Sequence, residues 1–141
     1  MIRDDGRALL SDFSLITLIP DQSTFISTCL GGGTFQWMSP ELLDPTRVNS
    51  EKGRPTKESD CYALGMVIYE VLSGGAPFGT NLSLAVISKI LGGERPKKPQ
   101  GEAGKLFTAG IWDVVERCWK AEPSERASAR DVLLCLEGDV D

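Results

Sequence analysis

The feature that most restricts the fold is an apolar run in the middle of the chain, CYALGMVIYEVL at residues 61–72. Only Gly65 and Glu70 interrupt it. A helix that is apolar on nearly every side has to be buried by other elements, and this run is shorter than the ~20 residues of a membrane-spanning helix. Residues that cap or end helices flank the run, namely Thr56 or Ser59 before it and Gly74-Gly75 after it. The sequence therefore predicts a domain built around one central, buried helix.

Three further segments carry apolar residues at helical spacing. They contain Leu84, Ile87 and Leu91, then Ile111, Val114, Val115 and Cys118, then Ala129, Val132, Leu133 and Leu136. Helix signals accompany them: Asn81 as a cap and Gly92 as a stop for the first, and a Ser128–Asp131 capping box and Gly138 for the last. Residues 93–104 are predicted to form a loop. Trp112 and Trp119 are interpreted as packing residues.

The N-terminal part of the chain has a different character. Asp4-Asp5-Gly6 lies between short apolar pieces, which is typical of the turn of a β-hairpin. Residues 15–19, LITLI, are rich in β-branched side chains, and residues 21–36 are rich in Ser, Thr and Gly. The predicted fold class is mainly α: a short β-hairpin, a long loop, then a helical bundle around one buried central helix.

Composition restricts the kinds of function. The net charge of −5, without a basic stripe, argues against a nucleic-acid interface and a polybasic membrane anchor. The chain has no histidine, which excludes Ser–His and Cys–His nucleophile pairs and histidine metal ligands. The four cysteines, Cys29, Cys61, Cys118 and Cys135, form no CxxC pair. They indicate reduced core cysteines in a cytoplasmic protein.

Four blocks in a fixed order identify a family. They are SDFS at 11–14, GTFQWMSPE at 33–41, SDCYALGMVIYEVLSGGAPF at 59–78 and RCWKAEPSERAS at 117–128. Together they resemble the eukaryotic protein kinase domain, whose C-lobe runs in this order from the DFG motif onward. Gly33-Thr34 and the wording around Trp37 and Cys118-Trp119 resemble serine/threonine kinases of the tyrosine-kinase-like branch. The resemblance implies that residues 1–141 are a partial kinase domain, a truncated C-lobe.

The resemblance also implies roles for single residues. Asp12, Phe13 and Ser14 match the DFG motif, so Asp12 would hold the magnesium that neutralises the ATP phosphates in a complete domain. Ser14 replaces the family's glycine, which restricts the turn. Ser23, Thr24, Ser27, Thr28 and Thr34 fall in the activation segment, where phosphorylation or a plain solvated loop are both open. The resemblance implies structural roles for three more residues. Glu41 and Arg126 would form an ion pair across 85 positions of the sequence. Asp60 would accept hydrogen bonds from the catalytic loop, or would only interact favourably with a helix N-terminus.

The catalytic parts that precede DFG in the family are expected to be absent from this chain. They are the Gly-rich loop, the strand Lys, its partner Glu, and the Asp and Asn of the catalytic loop. We interpret the DxxxxN spacing at 44–49 and the AVISK segment at 85–89 as accidents of spacing. Met1 is therefore expected to match an internal position of a longer kinase. The chain alone should bind little or no ATP and magnesium, and should be poorly soluble or loosely packed, because its central helix lacks neighbours.

Two hypotheses on function stay open at this point. In the first, the chain is an inactive fragment of a serine/threonine kinase that acts on a protein substrate. In the second, it is a non-catalytic, pseudokinase-like module that binds a partner kinase. An enzyme of another class is disfavoured, because no nucleophile–base pair or metal cluster is visible in the sequence.

Overall fold

The computed structural model describes residues 3–7, 9, 34–47, 55–80 and 84–138. Within them lie six α-helices, which we number α1 (Pro40–Leu43), α2 (Lys57–Ser73), α3 (Leu84–Leu91), α4 (Gly101–Lys105), α5 (Ala109–Cys118) and α6 (Ala129–Gly138). Three 3-10 turns, Thr34–Trp37, Pro45–Arg47 and Pro123–Glu125, accompany the helices. The mainly helical fold class predicted from the sequence is confirmed.

The predicted turn near the N-terminus is present. The backbone N–H of Arg3 donates to the carbonyl of Arg7 at 2.9 Å, and that of Gly6 donates to Arg3 at 2.9 Å. Gly6 has a φ of 80°, a conformation that suits glycine. No strand is assigned among residues 3–7 and 9, and the LITLI segment at 15–19 lies outside the described residues.

The central helix α2 begins and ends as its sequence predicts. Thr56 is the N-cap and forms a reciprocal pair with Ser59: each side-chain oxygen accepts the other residue's backbone N–H, at 3.2 and 2.8 Å. At the other end Gly74 adopts the left-handed conformation, with a φ of 72°, and donates to the carbonyl of Glu70 at 2.9 Å. This cap satisfies backbone groups that the helix end leaves unpaired.

The close crossing of α2 and α5 depends on a glycine. A methyl group built on Gly65 would lie 2.6 Å from Cβ of Cys118 and 3.5 Å from the carbonyl oxygen of Val115. Val115 and Cys118 are fully buried there, together with Val114. Because Gly65 has no side chain, the backbones of the two helices can approach until Cys118 fills the space above it. This explains the small residue in the otherwise bulky central helix.

The core forms around α2 from every other described helix except α4. Its buried apolar side chains include Phe35, Met38, Leu42, Tyr62, Met66, Ile68, Val86, Ile90, Val114, Val115, Cys118, Trp119, Ala127 and Val132. Trp119 is 4% exposed and Trp112 packs edge-on against it at 5.7 Å between ring centroids, which confirms both tryptophans as packing residues. Cys61, Cys118 and Cys135 form no disulfide within the described residues, and burial raises the pKa of Cys118 to about 12.

Two of the outer helices differ from their predicted faces. In α3 the buried residues are Val86 and Ile90, whereas Leu84 is 70% exposed. Apolar residues occupy both faces of this short helix, so spacing alone does not decide which face packs. In α6 the Ser128–Asp131 capping box is present, with bonds of 2.8 and 3.2 Å, but Leu133 and Leu136 are exposed and only Val132 is buried.

The segment predicted as a loop at 93–104 contains helix structure at its end. The short helix α4 begins at Gly101, whose φ of 70° turns the chain into it, and Lys105 pairs with Glu102 at 2.6 Å. The prediction of a continuous loop was therefore wrong at its C-terminal end. The prolines and glycines of this segment are typical of a loop, but they do not prevent one helical turn at its end.

Part of the central helix is exposed within the described portion of the chain. Val67 and Val71 project from one face of α2 and are 43% and 72% exposed. Exposed apolar side chains on a helix of this kind are suited to contact with further elements. No helix in the described ranges is both long and apolar enough to cross a membrane.

Candidate functional site

Two polar side chains hold the 3-10 turn at residues 34–37, one against the turn at 76–79 and the other against the central helix. Gln36 is buried, and its Nε2 donates to the carbonyl of Gly79 at 2.7 Å. Trp37 donates from Nε1 to Oε2 of Glu70 at 3.0 Å. Glu70, the one acidic residue of the apolar run at 61–72, therefore anchors the last residue of this turn. Sequence reasoning missed both contacts; a carboxylate inside an apolar run was the available signal.

The Gln36 bond lies beside a strained residue. Phe78 has a φ of 62°, which is an outlier for a bulky side chain, and it directly precedes Gly79. Its partly buried ring packs on the core. Such a conformation persists when its surroundings over-determine it, and the ring packing and the Gln36 bond do so here. The turn at 76–79 and the 3-10 turn therefore support each other.

Glu41 and Arg126 form a buried ion pair. Nη1 of Arg126 donates to Oε1 of Glu41 at 2.6 Å, and Nη2 donates to Oε2 at 2.8 Å. The side chains are only 1% and 6% exposed. Parallel double hydrogen bonds of this kind fix orientation as well as charge, so α1 is locked to the segment ahead of α6.

Every donor of the Arg126 guanidinium is used. Besides its two bonds to Glu41, Nη1 donates to the carbonyl of Glu58 at 3.0 Å, Nε to Lys120 at 3.0 Å and Nη2 to Ala121 at 3.3 Å. A guanidinium has five N–H donors in a fixed plane, and all five have acceptors here. Arg126 therefore joins α1, the first turn of α2 and the chain after α5 at one point. Lysine has three donors and no planar fork, so it could not replace Arg126.

Two arginine guanidiniums lie over the ring of a buried tyrosine next to this pair. Tyr62 is fully buried, and the guanidinium carbons of Arg95 and Arg126 each lie 5.2 Å from its ring centroid. Both distances fall within the range of cation–π attraction. The Tyr62 hydroxyl is buried and finds no hydrogen-bond partner among the described residues. The cluster of Glu41, Arg126, Tyr62 and Arg95 therefore contains two cations and one anion.

Burial and charge shift the pKa values of this cluster. Burial acts to raise the pKa of Glu41, but the hydrogen bonds and charge of Arg126 outweigh it, and the pKa lies below its ordinary value near 4.5. Burial raises the pKa of Tyr62 to about 12 despite the two guanidiniums. Burial also lowers the pKa of Arg95. Glu41 is therefore a stable carboxylate, Tyr62 a neutral phenol, and neither is suited to proton transfer near neutral pH.

The structure places the other predicted site residues as follows. Thr34 is exposed at the start of its 3-10 turn, and Asp60 is exposed in the first turn of α2. The DFG-like residues Asp12, Phe13 and Ser14 and the activation-segment residues Ser23, Thr24, Ser27 and Thr28 lie outside the described residues. The AVISK segment at 85–89 is part of helix α3, and Asp44 accepts bonds from its neighbour Thr46 at 2.6 and 3.1 Å.

A helical bundle around a buried central helix, with the SPE segment tied to a late arginine, defines the C-lobe portion of a protein kinase domain. The family model described as protein tyrosine and serine/threonine kinase matches residues 1–136. The chain belongs to this family.

Relatives with assigned names agree with this family. The serine/threonine-protein kinase cds1 of Schizosaccharomyces pombe is 31% identical over 133 residues, 94% of this chain and 28% of that protein. The serine/threonine-protein kinase mos of Patiria pectinifera is 28% identical over 137 residues, 94% of this chain and 36% of that protein. The serine/threonine-protein kinase VIK of Arabidopsis thaliana is 27% identical over 130 residues, 91% of this chain and 27% of that protein. The chain thus spans about a third or less of the length of these kinases.

Proposed function

We propose that this chain is part of a domain that transfers phosphate from ATP to serine or threonine residues of a protein, and that its 141 residues alone are inactive. The observation that carries the proposal is the Arg126–Glu41 pair, which holds the SPE segment against the helical bundle through two bonds of 2.6 and 2.8 Å. The names of the relatives and Thr34 in its GT motif support serine/threonine rather than tyrosine as the acceptor.

In such a domain the described residues position the substrate and do not react with it. Arg126 and Glu41 fix α1, while the bonds from Gln36 and Trp37 fix the preceding 3-10 turn on the turn at 76–79 and on α2. The turn with Thr34 exposed is thereby presented as a rigid surface on which an extended protein segment can lie. Positioning of this kind is a large part of phosphoryl-transfer catalysis.

ATP and magnesium would supply the phosphoryl group and its charge neutralisation in the complete domain. The residues proposed to hold them, Asp12 with Phe13 and Ser14, lie outside the described residues. Among the described residues no group of three His, Cys, Asp or Glu side chains could hold a metal ion. The catalytic motifs of the family do not occur in order in these 141 residues, so we expect little or no nucleotide binding by this chain alone. A cytoplasmic location also remains a prediction.

The proposal is tested with a chimera. These 141 residues replace the matched region of cds1 from Schizosaccharomyces pombe, and transfer of labelled phosphate to a generic protein substrate is followed by phosphoamino-acid analysis. We expect phosphoserine or phosphothreonine, loss of transfer in Asp12→Asn, and neither transfer nor ATP binding by the 141 residues alone. Phosphotyrosine as the product, or transfer by these residues alone, would contradict the proposal.

The exposed apolar side chains favour a second candidate, a pseudokinase-like module that binds a partner kinase. Leu133 and Leu134 on α6 are 54% and 56% exposed, alongside Val71 on α2. This candidate predicts a folded but inactive chimera, and binding of a kinase domain that Leu134→Glu abolishes. An active chimera decides for the first candidate.

A further inference from the structure

A shallow groove lies beside Arg95, on the solvent side of the residues that follow α3. It is formed by the segment after α3 and the C-terminal end of α5, and has a volume of about 340 Å³. Its lining includes Arg95, Pro96, Glu116, Trp119 and Lys120. The groove therefore presents two cations and one carboxylate on a wall made by a tryptophan and a proline.

Arg95 is held rigidly in this groove by backbone carbonyls. Its Nε donates to the carbonyl of Trp119 at 2.8 Å, and its Nη1 donates to those of Glu94 and Ile90 at 2.7 and 3.3 Å. The guanidinium carbon also lies over the ring of Tyr62, 5.2 Å from its centroid. Four separate contacts thus fix the plane of the guanidinium before any ligand binds.

One nitrogen of the Arg95 guanidinium is not used in these contacts. Nη2 of Arg95 donates to no atom of the described residues, and it is not among the polar atoms that are sealed from solvent. Arg95 also forms no ion pair within the described chain, in contrast to Arg126. A partly buried cation without a paired anion carries a desolvation cost, and a pre-oriented N–H₂ group is suited to donate hydrogen bonds to a carboxylate.

We propose that this groove binds an acidic segment of a partner protein, with one Asp or Glu carboxylate accepting hydrogen bonds from Nη2 of Arg95. Lys120, which is exposed and forms no ion pair within the described residues, attracts the same carboxylate or its neighbour. Glu116 in the lining disfavours a doubly charged phosphate, so the carboxylate fits better. This site is separate from the one under Proposed function and does not depend on it.

The test is a titration of the isotope-labelled 141-residue chain with acetyl-tetraglutamate amide, followed by NMR, with acetyl-tetraglutamine amide as the neutral control. We expect the glutamate peptide to shift the Nε–H signal of Arg95 and the indole N–H of Trp119, and the glutamine peptide to shift neither. A glutamine peptide that binds equally well, or shifts that spare both residues, would overturn the proposal.

Charge variants separate a specific site from general attraction. Lys120→Glu alters an exposed side chain and should weaken binding of the glutamate peptide by roughly tenfold. Lys57→Glu, at an exposed lysine in the first turn of α2, makes the same change of net charge outside the groove and should leave binding unchanged. An equal loss in both variants would refute the site.

Two further measurements test the role of Arg95 and the preference for a carboxylate. Arg95→Gln should abolish binding, and the spectrum of the free variant reports whether it is folded; if it is not, the Lys120 and Lys57 pair decides alone. A phosphoserine peptide of the same length should bind no better than the glutamate peptide. Tighter binding of the phosphopeptide would overturn the carboxylate as the ligand class.

Discussion

Replacing Gly65 by alanine tests the packing of the central helix most directly. In an open helix this substitution stabilises by roughly 1 kcal/mol, because glycine is a poor helix former. Here the added methyl group would lie 2.6 Å from Cβ of Cys118, a separation that packed carbon atoms do not tolerate. The two helices must move apart, and overpacking of this kind typically costs about 1–3 kcal/mol. We therefore expect Gly65→Ala to lower the free energy of unfolding by about 1–3 kcal/mol, reversing the usual sign.

The assay is chemical denaturation, with the midpoint and slope compared between variants. Gly138→Ala is the matched control, since a methyl group there meets nothing within 4 Å, and its effect should be within about 0.5 kcal/mol. Cys118→Gly removes the opposing Cβ, so the double variant should regain part of the loss, measured as a coupling energy. A Gly65→Ala chain as stable as the wild type, or zero coupling with Cys118→Gly, would refute the close crossing of α2 and α5.

Three further predictions concern the charged cluster and the exposed apolar face. Glu41→Gln should destabilise by about 3–5 kcal/mol, because it leaves Arg126 buried without an anion. Folding lowers the pKa of Glu41, so the carboxylate stabilises the fold at pH values above its ordinary pKa near 4.5, and this stabilisation is lost as the pH falls below that value. The free energy of unfolding should therefore depend less on acid pH in the variant. An unchanged pH profile would contradict the ion pair. Tyr62→Phe keeps the ring between the two guanidiniums and removes a hydroxyl without a described partner, so thermal unfolding should show equal stability or a gain of up to about 1 kcal/mol, not a loss. Val71→Glu should raise the concentration of monomer recovered by gel filtration without lowering the unfolding midpoint, because this side chain is 72% exposed; a lower midpoint would show that the valine is packed.

The sequence predicts the central helix well because its signals are local. The apolar run, the Thr56 cap and the Gly74 stop each act within a few residues, and the structure confirms all three. The capping box at Ser128 is confirmed for the same reason. Local hydrogen bonds at helix ends depend on neighbours in sequence, so they can be identified before any tertiary contact is known.

The remaining features depend on contacts that are distant in sequence. The buried face of α3 was mispredicted, because apolar residues lie on both sides of this helix. Packing against the rest of the domain buries Val86 and Ile90. Glu41 and Arg126 could be paired only through the family resemblance, since nothing in spacing links positions 85 apart. The contact of Tyr62 with two arginines and the groove at Arg95 had no sequence signal, because backbone carbonyls rather than side chains hold Arg95 in place.

The imbalance of charge around Tyr62 connects the fold to the proposed groove. Arg126 forms an ion pair with Glu41, whereas the hydrogen bonds of Arg95 within the described residues all go to backbone carbonyl oxygens. An anion bound at Arg95 would supply the missing charge, and a ligand that binds only the folded state raises its stability in proportion to its concentration above the Kd. The acidic peptide should therefore raise the melting temperature of the chain. It should also restore part of the stability that Glu41→Gln removes, because both carboxylates act on the same pair of guanidiniums.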